Sequence, residues 1–174
     1  MQDDTRARND SVSKLGELIR EMKFAMLTTV HEDGTLRSRP MATQQIEFDG
    51  DLWFFTGSSS NKVHELDTHH EVNVSYSNPD DNRYVSVTGT AQVVRDRTKM
   101  EQLWNPLYKA WFPNGLDDPD ICLLNVHVTG AEYWDSPNSK VVQLVGFAKA
   151  LVTGKRYHPG DNEKIRLESK DPAA

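Results

Sequence analysis

Between residues 24 and 94 the chain alternates short runs of β-branched and aromatic residues with turn residues, which leaves little room for anything but antiparallel β structure. Phe24 to Val30 ends at Glu32-Asp33-Gly34, a strong hairpin signal. The returning strand, Leu36 to Gln45, leads to Asp49-Gly50, which predicts a second hairpin into the apolar run Leu52 to Phe55. Glu71 to Ser77 runs into the turn Asn78-Pro79-Asp80-Asp81-Asn82, and Tyr84 to Val94 is a long alternating strand. A final strand pair or bent strand spans Ile121 to Trp134, broken near Thr129-Gly130. Most of these connections are too short for the crossover helices of parallel units. The expected class is mainly β (α+β), an antiparallel barrel with peripheral helices.

The helices are read from spacing. Val12, Leu15, Leu18, Ile19 and Met22 predict an amphipathic helix near Ser11 to Lys23. Asp96 can cap a helix containing Met100, Leu103 and Trp104. Val141, Leu144, Val145, Ala148 and Val152 form a third helical stripe, ended by Gly154. From Lys155 the chain is polar and expected to be partly disordered, so residues 1–154 read as one domain and 155–174 as a polar tail. Only 37% of residues are hydrophobic, which suggests a cavity or a subunit interface that completes the packing.

A net charge of −6 argues against nucleic acid or an anionic membrane as the main partner, so any bound anion must be held by a few local cations. Met1 to Ser11 is charged and polar, and no long apolar span follows, so a soluble, cytoplasmic protein is expected. The single Cys122 lies in an apolar run and reads as a small core side chain. His64, His69 and His70 do not share a helical face with any further ligand, so no metal site is expected. Neither a nucleophile elbow nor a phosphate-binding glycine motif is present.

The chemistry concentrates around Leu52 to Leu66. An apolar strand breaks into Gly57 and three serines, then re-enters as a short helix with Asn61, Lys62, Val63 and Leu66, capped by a serine hydroxyl. Hydroxyls, free backbone N–H groups and one ammonium in a small volume suit a phosphate. On the preceding strand Arg37, Arg39 and Met41 share one face, and Ser38, Pro40 and Ala42 the other. Two arginines on a sheet face call either for carboxylate partners or for a dianion shared with Ser60 and Lys62.

These segments together resemble the pyridoxamine 5′-phosphate oxidase-like superfamily of flavin-binding split barrels, in particular its bacterial general-stress-protein branch. The motifs are Arg37-Ser38-Arg39-Pro40-Met41, Phe54-Phe55-Thr56 with Ser60-Asn61-Lys62, Tyr84 to Gly89, Trp111-Phe112-Pro113 and Glu132-Tyr133-Trp134. The resemblance implies a split β-barrel and a homodimer with FMN at the subunit interface. It further implies that Arg37 to Met41 line the FMN, Phe55 and Thr56 touch the flavin, and Ser60, Asn61 and Lys62 bind its phosphate. In the oxidases a cation stands at the position of Asn61, and Arg39 is expected to compensate for its loss. Tyr84 replaces a flavin-contacting glutamine; Trp134 is expected to reach FMN from the second subunit and Trp111 to sit near the ring. Ala42 and Ser136 to Lys140 replace the oxidases' substrate-phosphate cations, so oxidation of pyridoxamine phosphate is not expected. No catalytic residue is identified. A flavin-dependent oxidoreductase and a non-catalytic flavin-binding stress or redox-sensing protein both fit these residues, and a barrel holding another cofactor, such as a deazaflavin or haem, the latter with His127 as the one candidate axial ligand, is a third reading.

Overall fold

The computed structural model describes residues 2–44, 46–135 and 161–167. Helix α1 (Gln2–Ile19) is followed by β1 (Phe24–Val30), β2 (Leu36–Ala42), β3 (Asp51–Gly57), α2 (Asn61–Leu66), β4 (Glu71–Asn78) and β5 (Arg83–Val94). Then come α3 (Arg97–Leu103), two short 3-10 turns (Pro106–Ala110 and Gly115–Asp117), β6 (Ile121–Asp135) and β7 (Asp161–Arg166). All pairings are antiparallel, in the order β2-β1-β4-β5-β6-β3, with β7 on the distal half of β6. This is the mainly β, split-barrel architecture expected from the strand pattern. Among the described residues no helix is long and apolar enough to cross a membrane.

Strand alternation builds one core and one outer face. Leu27, Val74, Val87, Val126 and Phe54 point inward and are fully or almost fully buried, and Leu15 and Leu18 of α1 close the end of the barrel over them. The proximal half of β6 is buried on both faces. Its second face meets Met100 and Leu103 of α3 and the rings of Trp53, Phe55, Trp104 and Phe112.

Several expectations are corrected. The Asp49-Gly50 turn does not return β3 onto β2; the two strands stand at opposite ends of the strand order, and β3 pairs with β6 from Asp51↔His127 to Gly57↔Ile121. The doubly buried run Ile121 to Val126 needs a partner apolar on both faces, and Leu52-Trp53-Phe54-Phe55 is such a partner, whereas the arginine strand is not. Residues Ile121 to Asp135 form one continuous strand; the irregularity foreseen near Thr129-Gly130 is a register shift opposite Thr88/Gly89. Helix α1 begins nine residues before the predicted Ser11. Within the supposed polar tail, residues 161–166 form β7, held by the free edge of β6. The helix predicted over Val141 to Val152 lies outside the described residues.

The first hairpin closes as its composition requires. Gly34 takes φ 81°, and the Asp33 carboxylate accepts from the Thr35 backbone N–H at 2.9 Å and its hydroxyl at 2.6 Å. Those two bonds hold the Asp33 carboxyl down at about 2.

Candidate functional site

The serine turn and the arginine strand do meet, through helix α2 rather than through a hairpin. Glu65, on α2 three residues after Lys62, is only 4% exposed. Arg39 donates to one of its carboxylate oxygens at 2.7 Å, and Arg37 stands 3.6 Å from the other. The Thr29 hydroxyl donates to Glu65 and accepts from Arg39. Burial pushes the Glu65 carboxyl up, but the hydrogen bonds from Thr29 and Arg39 and the charges of both arginines outweigh it, leaving the group below its ordinary range. The arginines thus have the carboxylate partner that the face pattern allowed. Arg39 commits both terminal nitrogens to protein atoms and is 21% exposed, whereas Arg37, 44% exposed, keeps most of its donors toward solvent.

Lys62 lies half-buried in the same region. Burial first, and the Arg39 charge second, push its ammonium below the ordinary lysine value, while Cys122, Glu65 and Asp120 act in the opposite sense. It makes no hydrogen bond or ion pair with the described residues. A partly desolvated ammonium without a bonded counter-ion is costly unless something else satisfies it. Asn61 and Arg37 share a cavity of about 150 Å³ with His31, Glu32, His64 and Glu65.

The three serines have different fates. Asp120, at the foot of β6, accepts from the Ser58 hydroxyl at 2.8 Å and from the backbone N–H and hydroxyl of Ser59 at 2.8 and 2.9 Å. These bonds hold its carboxyl below the usual range. Gly57 is required there, because a Cβ would collide with the Asp120 carboxylate. Ser60 is the N-cap residue, but its hydroxyl makes no cap bond, contrary to expectation; it lies 3.4 Å from the Thr56 hydroxyl and keeps capacity for a ligand. Cys122 is buried beside Thr56, and burial pushes its thiol up, which makes it a poor nucleophile.

The remaining residues fall into two further groups. Phe55 is packed edge-on against Trp104 at 5.6 Å and meets a tilted Tyr108 ring at 5.2 Å; Tyr108 in turn lies 6.5 Å from the exposed Trp111. Phe55 is therefore the inner end of an aromatic cluster, and Trp111 its outer end. Ser38, Pro40, Tyr84 and Trp134 share the outer face of the sheet, opposite to Arg37, Arg39 and the buried Met41. Trp134 pairs with Tyr84, twelve residues along β6 from Cys122, the partner of Thr56; that separation is about 40 Å along the strand. Within one chain Tyr84 and Trp134 stand on the sheet face opposite to Arg37 and Arg39. The ring of His127 is tied to Asp51 by a 2.8 Å bond between Nδ1 and Oδ1.

Sequence reasoning missed Thr29, Glu65 and Asp120. The i, i+3 spacing of Lys62 and Glu65 on one helix face was the available signal for Glu65. Asp120, 62 positions from Ser58, had no local signal.

A profile described as pyridoxamine 5′-phosphate oxidase like matches residues 10–158. The chain belongs to the pyridoxamine 5′-phosphate oxidase-like family. Protein bli-3 of Neurospora crassa is 32% identical to it over 168 residues, covering 91% of this chain and 79% of that protein. A general stress FMN/FAD binding protein from Xanthomonas citri superimposes with a TM-score of 0.65 at 26% identity, covering 75% of this chain and 92% of the other. A protein of Clostridium acetobutylicum related to general stress protein 26 shares the fold, with a TM-score of 0.67 at 19% identity over 92% of this chain and 96% of the other.

Proposed function

We propose that this protein binds FMN as a homodimer, holding the phosphate with Arg37, Ser60 and Lys62, supported by Arg39, and that it is a general-stress-type flavoprotein rather than a pyridoxamine phosphate oxidase. The observation that carries the reading is Lys62: a half-buried ammonium, its proton affinity lowered by burial and by Arg39, with no bonded counter-ion among the described residues. A phosphate there would meet the ammonium, the open side of Arg37 and the Ser60 hydroxyl, whose one bond, 3.4 Å to the Thr56 hydroxyl, leaves it further capacity. The FMN/FAD binding relative from Xanthomonas citri supports a flavin as the bearer of that phosphate.

The dimer is supported by the outer sheet face. Phe24, Met26, Leu36, Tyr84 and Trp134 are all exposed on it, interspersed with the hydroxyls of Thr28, Ser38, Ser75 and Ser86. Several large apolar side chains exposed on one sheet face are suited to an association surface. A second copy seated on it offers its own Trp134 and Tyr84 to the ligand. The flavin supplies hydride or electron chemistry when bound. The chain's own part is to anchor the phosphate and to limit access to the ring with Pro40, Phe55 and the tryptophans.

The test is the visible spectrum after incubation with FMN and gel filtration, with sedimentation velocity on the same sample. Retained flavin absorbance on a dimer is expected; a colourless protein overturns the flavin, and a monomer with full FMN affinity overturns the interface. Bleaching of the retained flavin by reduced nicotinamide cofactor would place the protein among oxidoreductases, and inertness to it would favour a flavin carrier or sensor.

A further inference from the structure

Glu65 is unusual among the charged groups near the cation cluster because it is buried, ionised and attached to the very side chains that face the proposed ligand. Of its neighbours, Thr29 comes from β1, Arg37 and Arg39 from β2 and Lys62 from its own helix; His31, Glu32 and His64 stand at the rim of the shared cavity. Its two oxygens are used unequally. One takes the 2.7 Å bond from Arg39 and the Thr29 hydroxyl, while the other, among the described residues, has only the 3.6 Å approach of Arg37 and no hydrogen bond. A buried carboxylate oxygen left in this state is incompletely satisfied, and the guanidinium facing it is loosely held.

We propose that Glu65 is the internal counter-ion of the anion site, a specificity-determining residue that never touches the ligand: it pins Arg39 as a fixed floor, holds Arg37 loosely for release toward an incoming phosphate, and lowers the charge available to that phosphate. Against the positive charges of Arg37, Arg39 and Lys62, Glu65 sets one negative charge in direct reach of both guanidinium groups, while Asp120 also acts on Lys62 and Glu32 stands at the cavity rim. Without this carboxylate the cluster would be over-charged and would retain anions more tightly and less selectively. With it, Arg39 is held in place and Arg37 is kept nearby, at the expense of some phosphate affinity. The inference rests on the phosphate site proposed above.

The test compares wild type with Glu65→Gln, which keeps the shape and removes the charge. FMN and riboflavin dissociation constants are measured by flavin fluorescence, and melting temperatures with and without inorganic phosphate. The expected result is a lower melting temperature for ligand-free Glu65→Gln. FMN binding should be about tenfold tighter, the size of one partly screened unit charge, with riboflavin unchanged and a larger stabilisation by phosphate. Weaker binding of both flavins, or no change in either, would show Glu65 to be only a structural brace and would overturn the proposal. Thr29→Val is the companion variant: it loosens the same network but leaves the carboxylate, so the wild-type preference for FMN over riboflavin should persist. Loss of that preference in Thr29→Val would count against the charge argument even if Glu65→Gln fails to fold. If wild type binds neither flavin, the flavin assignment fails, while the phosphate melting shifts still decide whether Glu65 restrains the anion site.

Discussion

Replacing Lys62 by methionine isolates the central claim about the site. Methionine preserves most of the length and apolar stem and removes only the ammonium. In the folded protein that ammonium is half-buried, depressed in proton affinity and unbonded to any of the described residues, so its removal takes away no hydrogen-bond or ion-pair partner among them. The fold should therefore keep its melting temperature, or gain slightly from losing a desolvated charge beside Arg39. Ligand binding should respond in the opposite direction. A charge-assisted hydrogen bond to phosphate contributes about 1.5–3 kcal/mol, which is roughly a 10- to 150-fold weaker FMN dissociation constant at about 1.4 kcal/mol per decade. Riboflavin, which lacks the phosphate, should bind Lys62→Met within about twofold of wild type, since no charge-assisted bond is removed from it. Quenching of flavin fluorescence measures both constants, and a thermal melt reports the fold. Equal losses for FMN and riboflavin would refute the placement of the phosphate, and a large drop in melting temperature would refute the claim that Lys62 is structurally unpartnered.

Other substitutions probe the scaffold. Arg39→Ala strands the Glu65 carboxylate and should destabilise by about 3 kcal/mol at pH 7 in chemical denaturation, the lower end for breaking a buried pair. Because the folded Glu65 carboxyl is held below its ordinary value, its pairing stabilises above about pH 4.3 and is lost as pH falls. The gap between Arg39→Ala and wild type should therefore narrow in acid, and a gap independent of pH would contradict the assignment. Gly57→Ala drives a methyl group into the Asp120 carboxylate and should cost about 1–3 kcal/mol while releasing Ser58 and Ser59; an unaltered denaturation midpoint would refute that contact. Phe54→Ala empties the centre of the main core and should cost about 3–5 kcal/mol by the same assay, and a loss under 1 kcal/mol would refute its central place in the core.

What was legible in the sequence follows from local physics. Period-2 alternation and turn pairs delimit β1 and β5 within a residue, and Asp96 caps α3 through the Lys99 backbone N–H as its residue type foretold. The same alternation puts Arg37 and Arg39 on one face, which both side chains confirm by reaching the same carboxylate. Strand neighbours, by contrast, are chosen by the burial of whole faces: β3 abandons β2 because only β6 offers apolar cover on both of its sides. That choice, together with the packing of α2 on β1 and β5, brings Glu65 to the arginines and Asp120 to the serine turn, pairings that no spacing along the chain encodes. The chain by itself determined which side chains carry charge and on which face of each element they stand. Tertiary structure alone decided which of those charges are neutralised from within and which are left for a ligand, because desolvation and Coulomb attraction act across distances in space.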